Sequence, residues 1–267
     1  MPSLLPAWHN LNKVVIGMLH LPALPGSPRF SGDLAAIREL LLRDADALAS
    51  GGVHGLMMEN FGDVPFHPGR VPTHVATHMT TLAYEVRKRH PNLPLGINVL
   101  RNDGRTALAI AHAVGADFIR VNVLCGARVT DQGVIQGIAH DLLRDRAVLR
   151  ATNVKIFADV DVKHSAPLAE RPIADEVDDT LERGLADALV VSGAGTGKPT
   201  DLGKVKAVKA AAQTSPVFIG SGIAAETIIN YESHADGFIV GTAFKRDGIA
   251  SNAVDPARVK SLLGRLR

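Results

Sequence analysis

Cysteine is almost missing: a single Cys125 in 267 residues excludes an intrachain disulfide. Stability must then come from a packed core, and the composition suits a reducing compartment. Aromatic residues are scarce at 4%, while alanine, valine, leucine and isoleucine abound, so aliphatic packing is expected to hold the fold. No excess charge of one sign is present, with 29 Lys and Arg against 27 Asp and Glu and no basic run of five, which removes the electrostatic signature of nucleic-acid or anionic-lipid binding. No uninterrupted apolar stretch approaches the roughly 18 residues of a membrane span, so no transmembrane segment is expected. Met1 to Lys13 lacks a charged segment leading into an apolar one, and a cytoplasmic location is the expectation. No low-complexity linker interrupts the chain, so residues 1–267 are read as a single domain.

What is present is a repeat of short apolar segments, each followed by a turn and a helix-like pattern. Strands are expected at Val14–Leu21, Gly55–Asn60, Leu95–Leu100, Phe118–Leu124, Lys155–Lys163, Ala188–Ser192, Val217–Gly220 and Gly237–Gly241. Helices are expected at Leu34–Ser50, Thr73–Arg89, Arg105–Val114, Asp131–Arg150, Asp175–Arg183, Leu202–Ala212, Ala224–Tyr231 and Pro256–Leu266. Strand and helix in alternation imply parallel strands with right-handed crossovers. A doubly wound open sheet satisfies that pattern too, but eight repeats favour an α/β fold closed as a (β/α)8 TIM barrel.

The phase of the strands places charge inside. In the fifth strand Ile156, Ala158, Val160 and Val162 share one face, while Asp159, Asp161 and Lys163 share the other. Arg120 and Asn122 alternate with Ile119, Val121 and Val123 in the same way; Asn98 and Glu59 do so in their own strands. Burying such groups unpaired costs roughly several kcal/mol each, so they are expected to pair or to line a wet mouth where the strands end.

Two glycine-rich turns close the pattern, Gly220-Ser-Gly222 and Gly241-Thr242, each at the end of an apolar strand. Glycines let backbone N–H groups approach an anion, and a helix opening after Gly222 would add its positive end. Loops after strands seven and eight of a barrel are frequent phosphate sites, so Gly220, Ser221, Gly222, Gly241 and Thr242 are read as the grip for a small phosphorylated metabolite. The alternative is that these glycines only permit tight turns. Gly193-Ala-Gly-Thr-Gly197 is a candidate to widen the same pocket. Two nucleotide motifs fail: a P-loop around Gly195-Thr-Gly-Lys198 has Ser192 in place of its first glycine and Pro199 at the magnesium position, and Gly220-Ser-Gly-Ile-Ala-Ala225 lacks the acidic residue that holds a ribose.

For acid–base chemistry Asp161 and Lys163 stand two apart on one strand face, with Glu59 and Asn122 as neighbours across the mouth. Lys163 is a charge stabiliser or, if burial depresses its pKa, a Schiff-base nucleophile; a structural ion pair is the plainer alternative. His20 and His164 end strands beside proline-rich loops, where imidazole can shuttle protons at neutral pH. Asn98, Arg120 and Asn122 are read as orienting polar groups of the substrate. His20, His164, Glu59 and Asp161 match no known ligand spacing, so no metal residue is assigned, a divalent metal is left open and no organic cofactor is expected. His74 and His78 lack the glutamate of a zinc helix motif and read as a solvated face, and Cys125, without a triad partner, reads as an inert thiol. Base rates among soluble proteins favour a homo-oligomer.

Six blocks together resemble the BtpA family: Ile16-Gly-Met-Leu-His-Leu-Pro-Ala-Leu-Pro-Gly-Ser-Pro28, Glu59-Asn-Phe-Gly-Asp-Val-Pro-Phe66, Gly96-Ile-Asn-Val-Leu-Arg-Asn-Asp103, Arg120-Val-Asn122, Asp159-Val-Asp-Val-Lys-His-Ser165 and Ala235-Asp-Gly-Phe-Ile-Val-Gly-Thr242. The resemblance implies a TIM-like barrel. Cyanobacterial members are linked to photosystem I biogenesis at the thylakoid surface, similar proteins occur in bacteria that do no photosynthesis, and some sit beside sugar-phosphate genes. The closing glycine turns look like those of tryptophan synthase α and phosphoribosylanthranilate isomerase. Two functions follow as expectations: an isomerase or lyase acting on a sugar phosphate or phosphoribosyl compound, or a non-catalytic assembly factor for a membrane complex.

Overall fold

The computed structural model describes residues 4–266 apart from 194, 196 and 197. Eight parallel strands close into a barrel: β1 (Val14–His20), β2 (Gly55–Glu59), β3 (Leu95–Asn98), β4 (Phe118–Val121), β7 (Lys155–Val160), β9 (Ala188–Val191), β10 (Val217–Ile219) and β11 (Gly237–Val240). Each begins at the residue expected from the sequence. A three-stranded antiparallel sheet stands on the rim, built from β5 (Ala127–Thr130), β6 (Gly133–Gln136) and β8 (Ser165–Pro167).

Seven α-helices cover the barrel: α1 (Leu34–Gly51), α2 (Thr73–Arg89), α3 (Gly104–Val114), α4 (Ala139–Val148), α5 (Ile173–Asp178), α6 (Leu202–Ala211) and α7 (Pro256–Leu263). Four start on an aspartate whose carboxylate accepts a first-turn N–H, namely Asp33, Asp103, Asp201 and Asp255. Such caps satisfy donors that a helix leaves open and end each βα loop sharply. Asp103 also accepts the Val71 N–H at 2.9 Å, which ties the α3 start to the loop after β2.

Two expected helices are corrected. The stretch from Asp131 to Gln136 belongs to the β5–β6 hairpin, and α4 begins only at Ala139, because Ala127–Thr130 and Gly133–Gln136 pair across a two-residue turn with Gly133 in the left-handed region (φ 95°). No α-helix opens after Gly222; a 3₁₀ segment spans Ile228–His234 instead, so no α-helix dipole is aimed at that turn.

Strand alternation separates two cores. The outward residues, such as Val15, Leu56, Ile97, Ile119 and Ile156, pack beneath the helices. Inside the barrel, the lower layers hold Phe118, Phe157 and Phe218 around Trp8, whose ring centroid lies 5.9, 6.4 and 6.2 Å from theirs. Aliphatic side chains such as Val14, Ile16, Val190 and Ile239 fill the space around these rings, so the expected aliphatic packing is joined here by an aromatic cluster. Trp8 closes the bottom, and its indole N–H is satisfied by the His54 carbonyl at 2.7 Å. Gly96 leaves room for the Phe118 ring, which a Cβ there would meet at 2.1 Å. Among the described residues the lower barrel is filled by these side chains, and the inward polar groups lie in the upper layer.

Candidate functional site at the C-terminal rim

The upper layer is set by register. His20 lies opposite Glu59, Glu59 opposite Asn98, and Asn98 opposite Arg120 on successive strands, so period-2 alternation delivers all four to one level. Asn98 Nδ2 donates to Glu59 Oε2 at 2.6 Å. One strand further, the Arg120 guanidinium donates to Asp159 through Nε at 3.1 Å and Nη2 at 2.7 Å, and Asn122 Nδ2 donates to the same carboxylate. Arg120 and Asp159 are 2% and 0% exposed, so this is a fully desolvated ion pair whose fork geometry compensates the loss of water.

A cavity of about 230 Å³ opens above this layer. Its wall includes His20, Glu59, Arg120 and Lys163 together with Gly220, Ser221, Gly222, Gly241 and Thr242. The glycine turns and the ionisable group thus share one rim, at the ends of the strands where barrels hold their sites. The backbone N–H groups of Ser221, Gly222, Ile223, Thr242 and Ala243 donate to no acceptor among the described residues. Three of the glycines are sterically required: a Cβ at 220 would lie 2.7 Å from Val190, at 222 it would lie 2.0 Å from the Lys198 carbonyl, and at 241 it would lie 2.7 Å from the His20 ring. Gly222 also adopts φ 68°. Ser221 accepts the Gly193 N–H at 2.8 Å and keeps its own hydroxyl proton to donate.

Several expectations change at this level. Asp161 does not pair with Lys163. Its backbone is left-handed (φ 50°), which ends the alternation of β7 and turns its carboxylate outward to Arg128 and Lys204. Arg128 comes from the rim sheet, so the hairpin that periodicity hid is what captures Asp161. Asn98 and Asn122 do not line the cavity; they hold Glu59 and Asp159 by side-chain hydrogen bonds. His164 is exposed on the loop after β7, outside the cavity wall, with its ring beside Gly195. The Gly193–Gly197 turn lies partly outside the described residues, at Ala194, Thr196 and Gly197.

The electrostatics follow from burial. His20 stacks on Phe61 with ring centroids 4.4 Å apart, and its Nδ1 has no hydrogen-bond partner. Desolvation, with the Lys245 and Lys163 cations nearby, lowers its pKa to about 3. The ring is therefore neutral at physiological pH, which withdraws the expected proton shuttle and leaves a hydrogen-bonding imidazole. Burial, then the Arg120 cation, pushes Lys163 below the usual lysine range. Burial also lowers His164. Among the described residues, no three His, Cys, Asp or Glu side chains are grouped to hold a metal ion.

Two basic residues emerge that the sequence reading passed over. Arg258, in the first turn of α7, lines the cavity and donates from Nε to the Ala243 carbonyl at 2.8 Å, beside the second glycine turn. Lys245 is 2% exposed and paired with Asp44 of α1, whose other oxygen accepts the Val254 N–H at 2.9 Å. That pair pins the segment after β11, which carries Gly248 into the cavity wall. Charge type and loop position were the available signals, but nothing in local periodicity links residue 245 to residue 44.

Three comparisons bear on this arrangement. An uncharacterised protein of Thermococcus kodakarensis is 48% identical over 251 residues, covering 94% of each chain. The photosystem I biogenesis protein BtpA of Synechocystis is 48% identical over 252 residues, covering 93% of this chain and 86% of that one. Among solved structures, N-(5'-phosphoribosyl)anthranilate isomerase of Pyrococcus furiosus superposes with a TM-score of 0.59 over 95% of this chain and 98% of its own, at 13% identity, a likeness of fold. The model of the BtpA family matches residues 11–267, and the chain belongs to the BtpA family.

Proposed function

We propose that this barrel binds a small phosphorylated metabolite and catalyses isomerisation, or a lyase or aldolase-type step, on a sugar phosphate or phosphoribosyl compound. The observation that carries the reading is the meeting of five unpaired backbone N–H groups with Lys163, Glu59 and Arg120 in one cavity. Backbone donors suit phosphate because several converge on one anion without a side chain being immobilised. With Arg120 balanced by Asp159, Lys163 and Arg258 still outnumber Glu59, the one carboxylate of the wall, which favours an anionic guest. The barrel relative of known structure is named for a phosphoribosyl substrate, and its fold is the one seen here.

In this reading the phosphate rests on the Ser221–Ile223 and Thr242–Ala243 amides with Arg258 at the edge. Binding energy from that remote group orients the carbon skeleton toward the upper layer. Glu59 takes or returns a proton at carbon, held in place by Asn98. Lys163 engages the carbonyl group of the substrate, and the neutral His20 ring hydrogen-bonds a substrate hydroxyl.

Titration calorimetry with ribose 5-phosphate, ribose and inorganic phosphate tests it. The phosphate ester and inorganic phosphate bind competitively, and free ribose binds at least about tenfold more weakly, a loss of roughly 1.4 kcal/mol or more. Equal affinity for ribose and its phosphate would remove the cradle from the proposal.

A second reading comes from the Synechocystis relative, whose name attaches it to photosystem I biogenesis. There the barrel acts as an assembly factor without catalysis. A Synechocystis strain lacking that relative separates the two: rescue by this chain but not by its Lys163→Ala form supports chemistry, and equal rescue by both supports assembly alone.

A further inference from the structure

Two lysines lie at the upper end of the barrel, Lys245 fully buried and Lys163 half-buried, and the molecule treats them differently. Lys245 has a dedicated partner in Asp44, at 2% and 3% side-chain exposure. Lys163 has none: among the described residues its Nζ makes no hydrogen bond and no ion pair. The carboxylates around it accept hydrogen bonds from other side chains, and Glu59 and Asp159 act on it through their charge alone. Glu59 takes Asn98, Asp159 takes Arg120 and Asn122, and Asp161 is held by Arg128 and Lys204. The Lys163 backbone is fixed meanwhile, because Arg101 Nη2 donates to its carbonyl at 2.5 Å. A half-buried ammonium with no directly bonded partner is costly to desolvate. Its place in the wall of a cavity that also carries the unpaired amides gives that cost a purpose.

We propose that Lys163 is a nucleophile that forms a Schiff base with a carbonyl-bearing phosphate ester, an aldose or ketose phosphate whose phosphate is seated on the two glycine turns. This rests on the reading above that the cavity takes a phosphorylated metabolite, and it names both the substrate class and the covalent step. The neutral Nζ lone pair attacks the carbonyl carbon, and the carbonyl π pair moves to oxygen, which takes a proton. The carbinolamine then expels that oxygen as water as the nitrogen pair forms the C=N bond, and the imine holds one proton as the iminium. Overall, one ammonium and one carbonyl become one iminium and one water. Burial, then the Arg120 cation, lowers the pKa of Lys163, a shift in the direction of the neutral amine that the first step needs. The iminium then draws electrons from a neighbouring C–H or C–C bond, which is the activation that isomerase and aldolase steps require. The His20 ring belongs to the same wall, and its Nδ1 has no hydrogen-bond partner among the described residues.

The test uses the intact protein with dihydroxyacetone phosphate and with glyceraldehyde 3-phosphate, each reduced in place by sodium borohydride, followed by intact mass and peptide mapping. The proposal expects one adduct per chain for at least one ester, carried on Lys163. Inorganic phosphate suppresses it and dihydroxyacetone labels more slowly, each by roughly tenfold or more. The map of the wild-type chain locates the adduct directly, and Lys163→Arg, which keeps the charge, abolishes it. Calorimetry on the same samples separates the two layers of inference. Esters that bind while Lys163 stays unmodified, or while adducts spread over exposed lysines such as Lys198 and Lys206, overturn the Schiff base and leave the phosphate reading standing. Absence of both binding and adduct overturns both.

Discussion

Replacing Asp159 by asparagine isolates the electrostatics beneath the cavity. The side chain of Asp159 is fully buried and accepts three N–H bonds, two from Arg120 and one from Asn122. Asparagine keeps the shape but removes the charge, leaving a guanidinium that is 2% exposed without a counter-ion and turning an NH₂ group toward other donors. Breaking a buried pair in this way costs about 3–5 kcal/mol. The double change Arg120→Met with Asp159→Leu removes both charges together. It should recover most of that loss, short of about 1 kcal/mol for the Asn122 amide left unpartnered. Urea unfolding reads the outcome conveniently, because Trp8 is the sole tryptophan and sits buried against Phe118, Phe157 and Phe218. With a slope near 3 kcal/mol per molar urea, Asp159→Asn should lower the midpoint by about 1–1.7 M. The double variant should unfold close to the parent yet bind phosphate esters poorly, since Arg120 lines the cavity. A single variant within about 1 kcal/mol of the parent, or a double variant that loses as much stability as Asp159→Asn alone, would refute the reasoning.

Two more outcomes follow from the same layer. His20 is held at about 3 against an ordinary 6.5, so between those values the unfolded chain binds a proton that the folded chain refuses, and stability falls as pH drops through that window. His20→Gln should flatten the fall between pH 6.5 and 4.5 by up to about 1.4 kcal/mol per pH unit, and parallel curves for parent and variant would contradict the buried neutral ring. Gly241→Ala sets a methyl 2.7 Å from the His20 ring and inside the cradle, so it should cost about 1–3 kcal/mol in stability and weaken phosphate binding, as measured by unfolding and calorimetry. Unchanged phosphate affinity would remove the second glycine turn from the site.

Most of the barrel was legible because its signal is local. Each strand announces itself by an apolar run ending in a turn, and alternation alone places Glu59, Asn98, Arg120 and Asp159 on the inner face. The glycine turns were legible as well, since close approach of backbone leaves glycine as the residue that fits. What failed was non-local or aperiodic. The left-handed residue at Asp161 broke the alternation on which its pairing with Lys163 rested, and period cannot reveal a single φ of 50°. The Asp131–Gln136 stretch read as helix because its polar turn is short and its neighbours include the true α4. Asp44 with Lys245 and Arg258 with Ala243 join distant segments, so only the closed barrel brings them together. The aromatic plug escaped notice for a compositional reason: few rings are present, and several of them are stacked on one another at the same place.

The most direct measurement is a crystal structure of the protein grown with inorganic phosphate. The reading advanced here requires the anion within hydrogen-bonding distance of the Ser221, Gly222 or Ile223 amides and of Thr242 or Ala243, in the cavity whose wall carries Lys163 and Glu59. Phosphate bound elsewhere with that cradle empty, or a Lys163 side chain turned away from it into an ion pair, would contradict it.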